Sequence, residues 1–441
     1  MVALRFDRCR VPRSSSGFIS VLDFVVRGVS VPCFVTSNRH KNAYFVLEGL
    51  NSLATTYYGY YLFFYFKDTF GFGNLGNLTL AAAYGLIYTA TAWLCGRFAQ
   101  KFGYFRALRT GFSIMTISLV CGLALTDAWE QIVVMIGWTI GMCFTWPTLE
   151  ALVSEGAAPR RLQKLIGIYN LVWSGAAAVA YFFGGTLIET LGAKSLFYLP
   201  AIIHLCQILL LRRVENWPRG GVGSRGSIAD GRPAEEEMMR RASSVSPSVF
   251  LKLAWIGNPF AYVAINTILA VIPMLAQQLG LSRTWAGIFC SVWLFARLGS
   301  FAFLWLWTDW HYRFRWFFGA YLMIITTFLV ILLVPNLVVI IGAQVIFGAA
   351  VGLIYYSSLY YSMDVGDTKG EHGGFHESAL GAGQFLGPAI GAIALALRPK
   401  VENSETWAVA ALLTAGLVII LMVRGVAGRG EPRGGIMNYE L

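Results

Sequence analysis

The chain has 441 residues, 56% of them hydrophobic and only 13% charged, and its formal net charge is +11. A soluble globular chain carries about 25% charged residues to coat its surface. The shortfall here excludes a water-solvated globule and leaves lipid as the solvent for most of the surface.

Residues 1–42 come first. The stretch from Gly17 to Val35 is fairly apolar, but Asp23 and Arg27 interrupt it. Each charge at a helix centre costs about 2.5–3.5 kcal/mol, which argues against a membrane span. An Arg-rich start without a small-residue cleavage site argues against a secretory signal. The segment reads as a cytoplasmic tail, disordered or interfacial, or as an over-extended gene start.

Crossing about 30 Å of hydrocarbon at about 1.5 Å per residue takes roughly 20 apolar residues. Six such runs follow, at 43–66, 77–96, 106–125, 129–153, 165–188 and 194–211. The stretch 212–257 is rich in Gly, Ser, Arg and Glu and reads as a flexible cytoplasmic linker. Six further runs lie at 258–279, 285–308, 316–334, 337–362, 377–397 and 406–424, and a tail covers 425–441. The runs are continuous, unlike the short alternating strands of a membrane barrel, so the expected fold is all-α with twelve transmembrane helices. It divides into helical groups at 43–211 and 258–424.

Orientation follows from Lys and Arg. Arg97, Lys101, Arg106 and Arg109, then Arg160, Arg161 and Lys164, then Arg313, Arg315 and Lys369 fall in connections on one side, as do the Arg-rich linker and tail. The opposite side holds only Lys67, Lys194, Arg283, Arg398 and Lys400. This bias predicts a multi-pass protein of the plasma or inner membrane with both termini in the cytoplasm. It also accounts for the net charge without nucleic acid, anionic lipid headgroups being the natural neighbours of the basic loops.

The two groups of spans contain matching connections. Gly96 to Leu108 reads GRFAQKFGYFRAL, and Trp305 to Phe317 reads WLWTDWHYRFRWF. At equal length Gln100 aligns with Asp309 and Arg106 with Arg315, the pattern of a parallel internal repeat. The first of these segments resembles the signature loop of the major facilitator superfamily, G-x-L-A-D-R-x-G-R-R-x-x-L, and the resemblance extends over about 43–424. It implies two pseudo-symmetric six-helix bundles and a secondary transporter that works by alternating access. In the family the loop forms a cytoplasmic gating cluster, placed here at Gly96, Gln100, Gly103, Arg106, Asp309, Arg313 and Arg315. The chain departs from the pattern, since Gln100 replaces the acid and the second copy lacks both glycines. The resemblance also makes span 11 a gating helix. Gly383, Gly387 and Gly391 lie four apart on one face of it, beside Pro388, and helix packing alone explains such a face equally well. Glu150, Glu155, Arg160 and Arg161 resemble the family's acid–base cluster, or simply form a solvated helix end.

Charges inside a bilayer are expensive and therefore mark candidate sites. Arg297 lies near the middle of span 8 and reads either as a contact to an anionic or hydroxyl-bearing solute or as half of a structural pair. Asn51, Tyr57, Tyr61, Asn170, Trp173, Asn266 and Tyr356 are the other candidates for lining a solute site, with interfacial aromatic belts as the alternative for the tyrosines. Glu48 and Glu377, near the cytoplasmic ends of spans 1 and 11, are candidates for carrying a proton; acids snorkelling to the headgroups are the alternative. His204 reads as a packing histidine before a proton carrier.

The seven Cys form no CxxC pair, and there is no HExxH, GxSxG or GxxxxGK[ST] motif. His372 and His376 are spaced like helical ligands, but Gly373 and Gly374 between them argue for a loop. Catalysis, a metal, a cofactor and ATP-driven pumping are accordingly not expected. The expected partners are the bilayer, a small-molecule solute and H+, and the expected state is a monomer. The solute is a sugar, nucleoside, organic anion or drug-like metabolite. A non-transporting receptor or scaffold of the same fold is the alternative function.

Overall fold

The structure, a computed structural model, describes residues 39–155, 159–217, 246–365 and 369–430. The expectations for the N-terminal tail, for most of the linker and for the C-terminal tail fall outside the described residues. What is described is helical, as the apolar runs require in a medium that cannot hydrogen-bond to the backbone.

The first half contains α1 (Arg39–Phe70), α2 (Asn74–Phe102), α3 (Tyr104–Ala124), α4 (Ala128–Cys143), α5 (Trp146–Ser154), α6 (Pro159–Leu191) and α7 (Ser195–Glu215). The second contains α8 (Pro247–Gln278), α9 (Arg283–Cys290), α10 (Val292–Leu306), α11 (Phe314–Leu333), α12 (Leu337–Val365), α13 (Lys369–Leu397) and α14 (Ser404–Gly430). α4 and α5 form one broken span, interrupted at Phe144–Thr145 just before Pro147, which lacks an N–H to continue the ladder. α9 and α10 form another, broken at Ser291. The result is twelve spans in two six-helix bundles.

Eleven of the twelve are long and apolar enough to cross a membrane on length and composition alone. The exception is α1, whose 32 residues suffice in length. It carries Glu48, Asn51, Ser52, Thr55 and Thr56, all buried against other helices, so its polarity is not presented to lipid. Its start is fixed by Lys41, whose Nζ donates to the carbonyls of Leu152 (2.6 Å), Val153 (2.9 Å) and Glu155 (2.9 Å). A cation there offsets the negative end of the α5 dipole and satisfies its last carbonyls.

Two differences from the expected boundaries have local causes. α8 begins at Pro247, well inside the segment read as linker, because Pro is tolerated in a first helical turn and Phe250, Leu251, Leu253 and Ala254 bury one face. Gly373 and Gly374 lie within α13, where a loop was expected, so the helix tolerates both.

The repeat is visible in the backbone. Gly103, between α2 and α3, has φ +97°, and Tyr312, its aligned counterpart, has φ +54°. The left-handed conformation disfavours a residue with a Cβ. At Tyr312 it is held in place by burial: the backbone N–H donates to the Tyr361 hydroxyl (2.9 Å), and the ring packs on Phe250 and Tyr361. Both copies thus carry a positive φ at the aligned position, although one residue separates α2 from α3 and seven separate α10 from α11.

The bundles meet along two seams, α2 against α13 and α6 against α9 and α10. Glycines set the closeness of each. Gly85 of α2 lies on the backbone of Gln384 and Phe385, and Gly287 of α9 lies under the Tyr181 and Phe182 carbonyls of α6. The small face expected on α13 is divided in its contacts. Gly383 and Gly387 approach the Pro259 and Val263 carbonyls of α8 within their own bundle, whereas Gly391 meets only the flexible end of Leu78 and the Glu405 side chain, at 3.3 Å and beyond.

Gly383→Ala should therefore lower stability by about 1–3 kcal/mol through overpacking, and Gly391→Ala by far less. Melting of both variants in detergent checks this, and equal effects would contradict it.

Candidate functional site

A cavity of about 60 Å3 lies between the bundles. α1 supplies Ser52, Thr55, Thr56, Gly59, Tyr60, Leu62 and Phe63 to its wall, and α2 supplies Tyr84. The broken α4–α5 span contributes Trp138 and Trp146. From the other bundle come Tyr262 and Asn266 of α8, Arg297 of α10 and Gln384 of α13.

Arg297 is 2% exposed and forms no ion pair among the described residues. Its guanidinium carbon lies 4.5 Å from the ring centre of Trp173, on α6 of the opposite bundle, and 4.9 Å from that of Trp293 on its own span. Such contacts place positive charge against the negative ring face. The Trp173 indole N–H donates to Asn170 Oδ1 at 3.0 Å, which fixes the ring that Arg297 meets. The same indole touches Phe301 and Tyr355, so one Trp reaches from α6 to α10 and α12.

Of the residues singled out from sequence, the cavity takes Arg297, Trp173 and Asn266. Five lie outside its lining. Tyr57 hydrogen-bonds with the Ser195 hydroxyl at 2.8 Å within its own bundle, and Tyr61 donates to the Tyr181 carbonyl at 2.5 Å, its hydroxyl lying against Gly287 at the α6–α9 seam. Tyr60, between them in sequence, is the tyrosine that lines the cavity. Asn51 is fully buried nearby, Asn170 acts on Trp173, and Tyr356 packs on Phe301 and Trp310. Spacing identifies a shared helix face without saying which face is inward. His204 stacks near Phe112 and bonds Gln207, as a packing histidine does.

Glu48 and Glu377 are buried within the protein, 1% and 4% exposed. Glu48 accepts from the Ser52 hydroxyl at 2.8 Å and Glu377 from the Tyr88 hydroxyl, across the α2–α13 seam, at 2.5 Å. Glu150 of α5, expected as part of a surface cluster, is 8% exposed and within electrostatic reach of both. The three acids form no ion pair among the described residues. The side chains of Arg160 and Arg161 lie outside the described set.

The surface loops are looser. Asp309 and Arg313 approach to 3.9 Å with both side chains well exposed, and Gln100 and Arg106 are exposed. Arg315 lies over the Trp316 ring. At the opposite end of the cavity the bundles are joined by Arg283 Nε to Asp68 (2.8 Å), the Thr284 N–H to Glu189 (3.1 Å) and the Asn74 amide to Glu405 (3.2 Å). At the basic end they are joined by Tyr88–Glu377 and by the Ser378 hydroxyl to the Thr89 carbonyl (3.1 Å). The cavity is thus bounded by contacts between bundles on both sides.

Residues 44–388 match the description of the Major Facilitator Superfamily. Among solved structures, the chain is similar to a bacterial homologue of the human lysosomal transporter Spinster, crystallised in an inward-facing and unoccupied conformation. The TM-score is 0.61 at 15% identity, over 89% of this chain and 98% of that one. At that identity the likeness carries the fold. No curated protein matches.

The Asp68–Arg283 pair is partly exposed, and such a pair contributes only about 0–1 kcal/mol to stability. Asp68→Asn should leave the melting temperature nearly unchanged while loosening that end. A cysteine placed at Ala177, on the cavity wall, should then react faster with a membrane-impermeant maleimide; an unchanged rate would count against a clasp there.

Proposed function

The chain belongs to the Major Facilitator Superfamily, and from that premise we propose that it is a secondary transporter, moving a small organic solute through the central cavity by alternating access with a proton as the coupling ion. The observation that carries this reading is a cavity between two bundles with separable contacts at each end. Breaking one set of contacts while keeping the other exposes the cavity to one side only.

In this reading the solute meets Arg297, Trp173, Asn266, Tyr60, Tyr262 and Gln384, and the sugars, nucleosides, organic anions and drug-like metabolites that fit such a wall are its candidate cargo. Asn170 positions Trp173. Glu48, Glu150 and Glu377 carry the proton, because an acid without a cation is tolerated in a dry interior in its neutral form. Release follows when the basic end opens and water reaches them. The loops holding Gln100, Arg106, Asp309, Arg313 and Arg315, with the turns at Gly103 and Tyr312, make up the outer gate at that end, and Gly383, Gly387 and Pro388 let the gating helix bend and pack. The lysine and arginine bias makes this end cytoplasmic, in a plasma or inner membrane. A single chain encloses the whole cavity, which suits a monomer.

Counterflow into liposomes bearing the purified protein, run with a panel of these solutes, tests the transport reading. Exchange of at least one solute is expected, with accumulation driven by a pH gradient. Glu377→Gln and Glu48→Gln should keep exchange but lose gradient-driven accumulation. Folded protein that exchanges none of the panel would instead favour a receptor or scaffold. Accumulation unaltered in both variants would remove these acids from coupling.

A further inference from the structure

Four buried polar atoms on side chains lining the cavity have no hydrogen-bond partner among the described residues: Arg297 Nε, Trp138 Nε1, Trp146 Nε1 and Gln384 Oε1. Three of the four are donors. A buried donor without an acceptor costs free energy that a ligand oxygen would restore.

The charge balance points the same way. Among the described residues Arg297 is the only Lys, Arg, His, Asp or Glu side chain in the cavity wall, which gives that wall one formal positive charge. The guanidinium carbon lies over the Trp173 and Trp293 rings. The Nε–H is left without an acceptor, Tyr60 and Tyr262 lie within hydrogen-bonding reach of the same guanidinium, and its N–H groups form the planar fork that fits a carboxylate. The acids Glu48, Glu150 and Glu377 are not part of this wall. A cationic solute would meet an uncompensated like charge, and a dianion would place its second charge against Phe63, Met135, Met142 and the indoles.

We propose that the cavity selects a small monocarboxylate with a flat apolar or aromatic body. Its carboxylate takes the edge of Arg297, with Asn266, Tyr60 and Tyr262 as neighbouring polar groups, and its body lies against Trp138, Trp146 and Tyr84. Binding also bears on Trp173: a carboxylate on the guanidinium competes for the charge that now links α10 to α6 across the seam, which ties occupancy to the contact between bundles. This inference rests on the transporter reading and names the cargo of the same site.

Isothermal titration of the purified full-length protein in detergent tests it, with 2-naphthylacetate, 2-naphthylacetamide and 2-naphthylethylamine as probes of one shape and three charges. The carboxylate should bind at least about tenfold more tightly than the amide, a difference of about 1.4 kcal/mol, and the amine should bind least. Arg297→Gln should erase the preference for the carboxylate, and Arg297→Lys should keep part of it, since the charge remains but the fork is lost. The wild-type ratio needs no variant, so a variant that misfolds leaves the test intact. The proposal is overturned if the carboxylate does not bind, if the amide or amine binds as well, or if Arg297→Gln retains the preference. Carboxylate binding without exchange in liposomes would sink the transporter reading and keep the ligand class. Exchange of a neutral or cationic solute with the carboxylate ignored would do the reverse.

Discussion

Hydrocarbon offers no hydrogen bonds, and from that single constraint the distribution of polar groups in this protein follows. Lipid-facing surfaces are apolar, so whatever polarity the spans contain is gathered between helices. α1 is the clearest case: the least apolar of the spans, it is tolerated because its Glu48, Asn51 and Thr55 are covered by its neighbours. The buried charges gather where the bundles meet. Arg297 touches Trp173 across one seam, and Glu377 takes a hydrogen bond from Tyr88 across the other.

The seams combine close approach with few bonds. Gly85 and Gly287 bring helix backbones together, which gives broad van der Waals contact. The ends of the cavity are held by a handful of polar contacts, several of them solvent-exposed, such as Asp68–Arg283. Contacts of that kind contribute little individually and exchange readily with water. Such an arrangement allows rigid bundles to rock while each end opens in turn, and it places Arg297 and Trp173 on opposite sides of the moving boundary.

Long apolar runs, the charge bias and the repeated connection made the fold legible in sequence, because length and hydropathy translate directly into spans. The aligned pair Gly103 and Tyr312 shows where letters mislead: the second copy lacks the glycine yet keeps a positive φ, held by burial of Tyr312 against Tyr361 and Phe250. Arg297 was legible because any mid-span charge is conspicuous. Tyr60 was passed over for Tyr57 and Tyr61, for helical spacing gives relative direction without an absolute one. Trp138, Trp146 and Gln384 carry no charge and resemble any other packing residue. Glu150 looked like the end of a solvated helix; its burial depends on α1 and α13, which are distant in sequence.

Alternating access makes the two ends of the cavity open in opposition, and paired distance measurements report on this directly. Spin labels at Lys101 and Asp309 span the bundles at the basic end, and labels at Lys194 and Lys400 span them at the other; all four positions are exposed. Measured by pulsed electron resonance in nanodiscs as pH is varied, the account predicts two populations in which one distance lengthens as the other shortens. Distances that stay fixed under every condition, or that lengthen and shorten together, would contradict it.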